Sequence, residues 1–156
     1  MIAGGIARRG AVGRAAVSLG MLGLSVAAAA CGPAEPRPLR AWSPSFEFRL
    51  TLDPTPPYAN EPTLYRIVVL DRETRQPIEG GEGQLFATSE DRVNRWDSFT
   101  PAPEAGTYTA RITYLTAGDW KVALRFRRDS TAKLEQVEDW VQTVARARPL
   151  SDRPYK

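Results

Sequence analysis

The sequence predicts an all-β protein, an immunoglobulin-like antiparallel β-sandwich of about seven strands that follows a cleaved N-terminal signal segment. Short segments alternate apolar and polar residues with a period of two, as strands with one buried face do. Proline- and glycine-rich segments separate them, and no segment carries a strong helix signal. The chain of 156 residues is long enough for one domain with one hydrophobic core.

The first 30 residues have the pattern of a secretory signal peptide. Positive charges come first, on Arg8, Arg9 and Arg14. An uncharged run rich in alanine, leucine and valine follows, over residues 15–30. At about sixteen residues this run is short for a membrane span, which needs roughly twenty. The pattern predicts export.

The single cysteine, Cys31, stands directly after this run. Its position resembles the bacterial lipoprotein signal, in which the cysteine is lipidated and becomes the new N-terminus. Ala28 departs from that pattern, because leucine is more usual there. The resemblance implies a lipid on Cys31 that anchors the protein to a membrane of the bacterial cell envelope, facing the periplasm or the exterior. The alternative is ordinary cleavage after Ala30, with Cys31 a free thiol in a secreted protein.

Removal of the signal changes the charge of the protein. Three of the 21 basic residues lie in the signal, so the other 18 Lys and Arg balance the 18 Asp and Glu. A neutral domain offers no electrostatic reason to bind nucleic acid.

Residue types also limit the possible chemistry. The chain has no histidine, and its methionines, Met1 and Met21, lie in the signal. This removes the Ser-His-Asp arrangement and most zinc and copper sites. We therefore expect no metal, no cofactor and no enzymatic activity.

The chain after Cys31 begins with a predicted proline-rich tether over residues 31–44. The sandwich is predicted over residues 45–145. Its first strand covers residues 46–52, and prolines exclude residues 53–62 from a strand interior. The nearly continuous apolar run at residues 64–70 predicts a strand that is covered on both sides.

The middle of the domain is less regular. Gly80, Gly81 and Gly83 lie in the predicted third strand, within residues 78–88. We interpret them as a bulge or tight bend, because the spacing of a dinucleotide fingerprint and a following helix are both missing. Residues 95–100 are a candidate short strand.

The most regular alternation lies between residues 106 and 127 and predicts two strands joined as an antiparallel hairpin. Tyr108 and Trp120 begin the two buried faces, each just after a glycine. Gly118 lies in the predicted turn, where it supplies a positive φ.

The last element, residues 134–144, fits two structures. Its apolar residues have helical spacing, but completion of a sheet requires a strand, and we favour the strand. Residues 146–156 are predicted to be a flexible C-terminal tail.

Four short motifs recur in one known group of domains. They are Pro62–Asp71, Gln76–Ile78, Ala105–Ala110 and Ala117–Val122. They resemble YtkA-like and FixH-like domains of bacterial envelope proteins, which are small sandwiches with a D-x-x-T/G-x-P turn and strands that start with G-x-Y and G-x-W. Some members are linked to copper handling or to the assembly of copper oxidases, but their metal-binding methionines and histidines have no counterparts here. The resemblance implies an exported accessory or binding module.

The best candidate for a partner contact combines aromatic and basic residues, the types enriched at interaction hot spots. It consists of Arg92, Arg95, Trp96 and Phe99. In the alternative interpretation Trp96 fills one end of the core.

Together these features predict an exported, lipid-anchored, non-catalytic binding or assembly module with an envelope protein as its partner. The alternative is a small-ligand receptor or a carboxylate-based hydrolase on the same sandwich.

Overall fold

The structure, a computed structural model, describes residues 37–153, and the predicted all-β sandwich is confirmed. Within this range lie ten strands and one 3-10 helix, Leu150–Asp152. The strands are β1 (Leu39–Trp42), β2 (Phe46–Asp53), β3 (Pro62–Asp71), β4 (Glu82–Ser89), β5 (Asn94–Ser98), β6 (Thr100–Pro101), β7 (Thr107–Thr113), β8 (Gly118–Arg127), β9 (Glu135–Gln136) and β10 (Trp140–Val144). The predicted signal peptide and Cys31 lie outside the described residues.

The strands form two antiparallel sheets. The first has the order β1-β2-β3-β7-β6 and the second the order β10-β8-β4-β5, with β9 beside β8. Strands β2, β3, β7 and β6 follow the A-B-E-D order of immunoglobulin domains, and β4, β8 and β10 follow the C-F-G order. The predicted immunoglobulin-like arrangement is therefore confirmed.

The predicted hairpin between residues 106 and 127 is wrong, because its two strands do not pair with each other. The prediction of which side chains of each strand are buried is correct. Strand β7 pairs with β3 and β6, whereas β8 pairs with β4, β9 and β10, so the two strands belong to different sheets. The buried faces of β7 and β8 meet inside the sandwich. There the rings of Tyr114 and Trp120 pack edge to face with 5.2 Å between their centroids. Alternation fixes which side chains are buried, but it does not fix which strand is the neighbour.

The core lies between the sheets and is lined by alternate residues of the long strands. Tyr108 and Trp120 are each 1% exposed, as predicted. Burial raises the pKa of Tyr65 to about 12, although its hydroxyl shares a hydrogen bond with that of Tyr114. Gly118 has a φ of 116°, as expected for the turn before β8.

Two segments differ from the prediction at the start of the domain. Leu39–Trp42, placed in the tether, forms strand β1, because it pairs in register with β2. The strand at residues 64–70 is not covered on both sides, since Leu64 is 37% exposed and Arg66 is exposed. In the described part of the chain the outward side chains Leu64 and Arg66 are exposed and Val68 is half-buried, so the apolar run is only half buried.

The structure also decides between strand and helix for the last predicted element, and it shows where the described part of the tail lies. Residues 135–136 and 140–144 are strands, which confirms the strand interpretation. The described part of the predicted flexible tail is bound to the body of the domain. Ala145, directly before this tail, forms backbone hydrogen bonds with Pro57 and Ala59. Arg148 forms an ion pair with the buried Glu61.

Two carboxylates join the sheets at their edges. Asp97 of β5 accepts a hydrogen bond of 2.7 Å from the backbone N–H of Arg111 in β7. On the opposite edge, Glu135 accepts hydrogen bonds from Ser43 and from Ser45. Burial raises the pKa of Glu135, but these hydrogen bonds outweigh it and the net pKa is lowered. The first of these contacts holds β5 in place, and β5 carries the candidate site.

Candidate partner-binding surface

The predicted site residues on and next to strand β5 point in different directions. Trp96 pairs with Phe86 of β4, so the two side chains lie side by side on the outer face of the second sheet. Arg95 and Asp97 alternate with Trp96 and therefore point to the other side of the strand. Trp96 is 62% exposed, which contradicts the interpretation that it fills one end of the core.

Phe99, and not Trp96, packs against the core. Its ring lies 5.8 Å from that of Tyr108 and 6.1 Å from that of Phe126. Gly83 makes room for it, since a Cβ at Gly83 would lie only 2.4 Å from the Phe99 ring. Gly83, the second residue of β4, thus serves close packing against an aromatic ring.

Arg92 lies in the turn between β4 and β5. It is exposed and has a φ of 61°, and its backbone N–H donates to the carbonyl of Ser89. The structure therefore does not bring Arg92, Arg95, Trp96 and Phe99 together into one surface. Of the four, only Trp96 stands on the open outer face of the sheet.

Three residues that the sequence analysis missed share the outer face of the second sheet with Trp96. Phe86 lies beside it, and the guanidinium of Arg125 from β8 lies 4.6 Å from the centre of the Phe86 ring. Gln84 holds Arg125, because its side-chain oxygen accepts a 2.9 Å hydrogen bond from Arg125 Nε and a second one from Nη2. We call Gln84, Phe86, Trp96 and Arg125 the aromatic–arginine face.

A shallow hollow of about 610 Å³ borders this face. Arg125, Gln84 and Phe99 contribute to its lining. It also contains the carboxylate of Glu82, which forms an ion pair with Arg127. The hollow therefore offers guanidinium groups and apolar surface to a ligand.

A second groove, of about 370 Å³, is the place where carboxylates come together. Asp53 and Glu61 both line it, with Arg148 and Arg153. Glu61 is 6% exposed, and the hydrogen bond from Arg148 holds its pKa below the usual 4.5. A buried carboxylate of this kind is ionised and neutralised by its arginine, as structural ion pairs are.

Within residues 37–153, no group of three or more cysteine, aspartate or glutamate side chains is placed to hold a metal ion. In the same range, no helix is long and apolar enough to span a membrane.

Comparison with known proteins gives no match to a family model, to a curated protein or to a solved structure. The fold and its faces define an immunoglobulin-like sandwich with an exposed aromatic–arginine face. The resemblance to YtkA-like and FixH-like domains stays a prediction.

Proposed function

We propose that this protein is an exported, lipid-anchored, non-catalytic binding or assembly module of the bacterial cell envelope. Its partner is an envelope protein, which it binds through the aromatic–arginine face. The observation that supports this most is Trp96, a large aromatic side chain that is 62% exposed on an ordered strand. Tryptophan and arginine are both enriched at interaction hot spots.

The face has the form expected of a recognition surface. Its side chains stand on β4, β5 and β8, so a paired sheet fixes their positions. Val141 of β10 adds a further exposed apolar side chain on the same side of the sheet. Contiguous exposed apolar side chains, as Phe86 and Trp96 are on this face, indicate an interaction site.

The membrane attachment rests on Cys31. Strand β1 begins at Leu39, so residues 31–38 separate the lipid from the first strand. An extended chain spans at most about 3.5 Å per residue, which keeps the domain within roughly 30 Å of the membrane. The module would then meet partners that lie in or on the same membrane.

The absence of catalysis is also a proposal, supported by the groove that contains Asp53 and Glu61. Hydrolysis by a carboxylate pair requires one carboxyl group with a raised pKa as the general acid. The pKa of Glu61 is lowered instead, because Arg148 stabilises its ionised form. This argues against the hydrolase alternative.

The small-ligand receptor is favoured by one observation, the hollow beside Arg125. Leu134→Trp would fill this hollow and spare Trp96. Loss of binding in Leu134→Trp, with Trp96→Ala unaffected, would indicate a ligand in the hollow rather than a protein on the face.

The anchor is tested by expression of the precursor in a bacterium with labelled palmitate, beside Cys31→Ser. We expect label and membrane fractionation in the wild type and neither in the variant. A wild-type protein that takes up no label and fractionates as soluble contradicts the anchor.

The face is tested by capture of partners from membranes with Trp96→Ala. We expect loss of the captured envelope protein at an unchanged melting temperature. Thr109→Ala, on the outer face of the first sheet, is the matched control and should capture as the wild type does. Equal capture by both variants contradicts the proposed surface.

A further inference from the structure

Two cross-strand pairs on the second sheet share one geometry and differ in charge. Gln84 pairs with Arg125 and Glu82 pairs with Arg127, at successive outward positions of β4 and β8. In each pair the arginine Nε donates a 2.9 Å hydrogen bond to the side-chain oxygen of its partner. Arg127 is therefore neutralised by a carboxylate, whereas Arg125 is held by an uncharged amide.

Within residues 37–153, no carboxylate forms an ion pair that would supply the missing negative charge. On the far side of Arg125 the register places Gln136 of β9, a second uncharged amide. The ion pairs of residues 37–153 do not include Arg125. Its Nη1 has no hydrogen-bond partner in the same range, since Gln84 engages Nε and Nη2.

The guanidinium is nevertheless fixed in orientation. Gln84 holds it from the side and the Phe86 ring supports it from below, at 4.6 Å. Affinity rises when a group is already ordered in its binding geometry, because less side-chain entropy is lost on binding. An ordered guanidinium that lacks a counter-charge suits a carboxylate, with which arginine forms its strongest hydrogen bonds.

We propose that the aromatic–arginine face binds an acidic segment of a partner protein. A carboxylate of the segment binds Arg125, and an apolar side chain next to it packs on Trp96. The inference rests on the proposed function, since it names the chemistry of the partner that the same face binds.

The aromatic side chains favour a protein segment over an acidic polysaccharide. A sugar ring binds by stacking on an open aromatic ring, and a polysaccharide uses several such rings. Here the guanidinium of Arg125 already covers the Phe86 ring, which leaves Trp96 as the open ring of the face. One open ring beside one free charge matches an apolar side chain next to an acidic one.

The two cross-strand pairs supply reciprocal variants for a test. Gln84→Glu copies the neighbouring Glu82–Arg127 pair and neutralises Arg125 with almost no change of shape. Glu82→Gln does the reverse and frees the charge of Arg127 on the same face. Both variants keep the strand register, so comparable melting curves are expected.

The mature chain with Cys31→Ser is used to select binders from a library of random linear peptides, and synthetic copies of the enriched peptides are titrated. We expect enriched sequences to carry Asp or Glu beside an aromatic or aliphatic residue. Gln84→Glu should weaken their binding at least about tenfold, the typical effect of losing one charged hydrogen bond. Glu82→Gln should bind as tightly as the wild type or more tightly.

Enriched peptides without acidic residues, or binding unchanged in Gln84→Glu, would overturn the inference. Binding of polygalacturonate that is lost in Gln84→Glu, with no peptide enriched, would show a polysaccharide site instead. No binding of either probe would also refute the acidic partner. The capture experiment with Trp96→Ala is scored separately, so failure here is distinguishable from failure of the proposed function.

Discussion

The outer faces of the two sheets arrange their arginines differently. On the first sheet, Arg49 is held by Glu47 and Arg66 by Glu104, and Arg75 from the turn after β3 also pairs with Glu47. On the second sheet, Arg125 is held by Gln84 and lies against Phe86. A face whose ordered charges are paired internally has less to offer a charged partner than one whose ordered charge is unpaired.

Exposed arginines without such contacts do not change this comparison. Arg40 and Arg111 on the first sheet are exposed, and neither takes part in an ion pair of the described residues. Their charges are solvated and their side chains are not held in one orientation, so binding them costs side-chain entropy. Among the outward-facing arginines of the two sheets in residues 37–153, Arg125 combines a fixed orientation with the absence of an ion-pair partner.

The largest expected effect is a difference in the free energy of unfolding between a variant in the interior and a variant on the outer face of the second sheet. Trp120→Ala removes a buried ring and should lower the free energy of unfolding by about 3–5 kcal/mol. Trp96→Ala, in the same sheet, should change it by less than about 0.5 kcal/mol. Chemical denaturation of both variants decides this. Equal losses would mean that Trp96 belongs to the core and is no binding residue.

A smaller effect tests the paired charges of the first sheet. Glu47 is 1% exposed and accepts a 2.9 Å hydrogen bond from Arg49. Glu47→Ala should therefore cost about 1.5–3 kcal/mol, the range for a hydrogen bond to a charged group. Glu82→Ala, which removes the exposed partner of Arg127 on the second sheet, should cost less than about 1 kcal/mol. A larger loss in Glu82→Ala than in Glu47→Ala would reverse the comparison.

The pH dependence tests a further paired carboxylate next to the first sheet. Arg148 lowers the pKa of Glu61 below its usual 4.5, so the folded state favours the ionised form. The resulting stability is present above pH 4.5 and is lost as the pH falls through the lowered folded-state pKa. Glu61→Gln should therefore show a smaller difference in melting temperature between neutral and acidic pH. An undiminished difference would exclude Glu61 as its source.

The smallest expected effect is the change in the stability of the fold caused by Gln84→Glu. A new cross-strand ion pair with Arg125 should stabilise the fold by roughly 0.2–1 kcal/mol. Melting curves at low and high salt should differ more in this variant than in the wild type, because salt screens the pair. A clear destabilisation would mean that Arg125 is not oriented by residue 84.

The fold could be predicted because alternation and turn residues define strands and their buried faces. Tyr108 and Trp120 lie on the predicted sides. The pairing of β7 with β3 could not be predicted, because a buried face fits either a hairpin or two opposed sheets. Leu39–Trp42 was missed because the nearby prolines suggested a tether.

Of the residues that form the candidate site, only Trp96 could be predicted from the sequence. Its partners, Phe86 and Arg125, are 10 residues before and 29 residues after it, and only the register of β4 with β5 and β8 brings them together. Phe99 and Arg95 were grouped with Trp96 because they are close in sequence. In a strand, however, adjacent residues point to opposite faces, and Phe99 lies beyond the end of β5.

The most direct test of the central claim compares the two outer faces in living cells. A photo-crosslinking amino acid replaces Ser98, an exposed residue in the row of Gln84, or Thr109 on the outer face of the first sheet. The partner-binding surface predicts a discrete crosslinked adduct with an envelope protein from position 98 and none from position 109. In addition, Trp96→Ala should abolish the adduct from position 98. An adduct from position 109 alone, or one from position 98 that persists in Trp96→Ala, would contradict the assignment of the aromatic–arginine face.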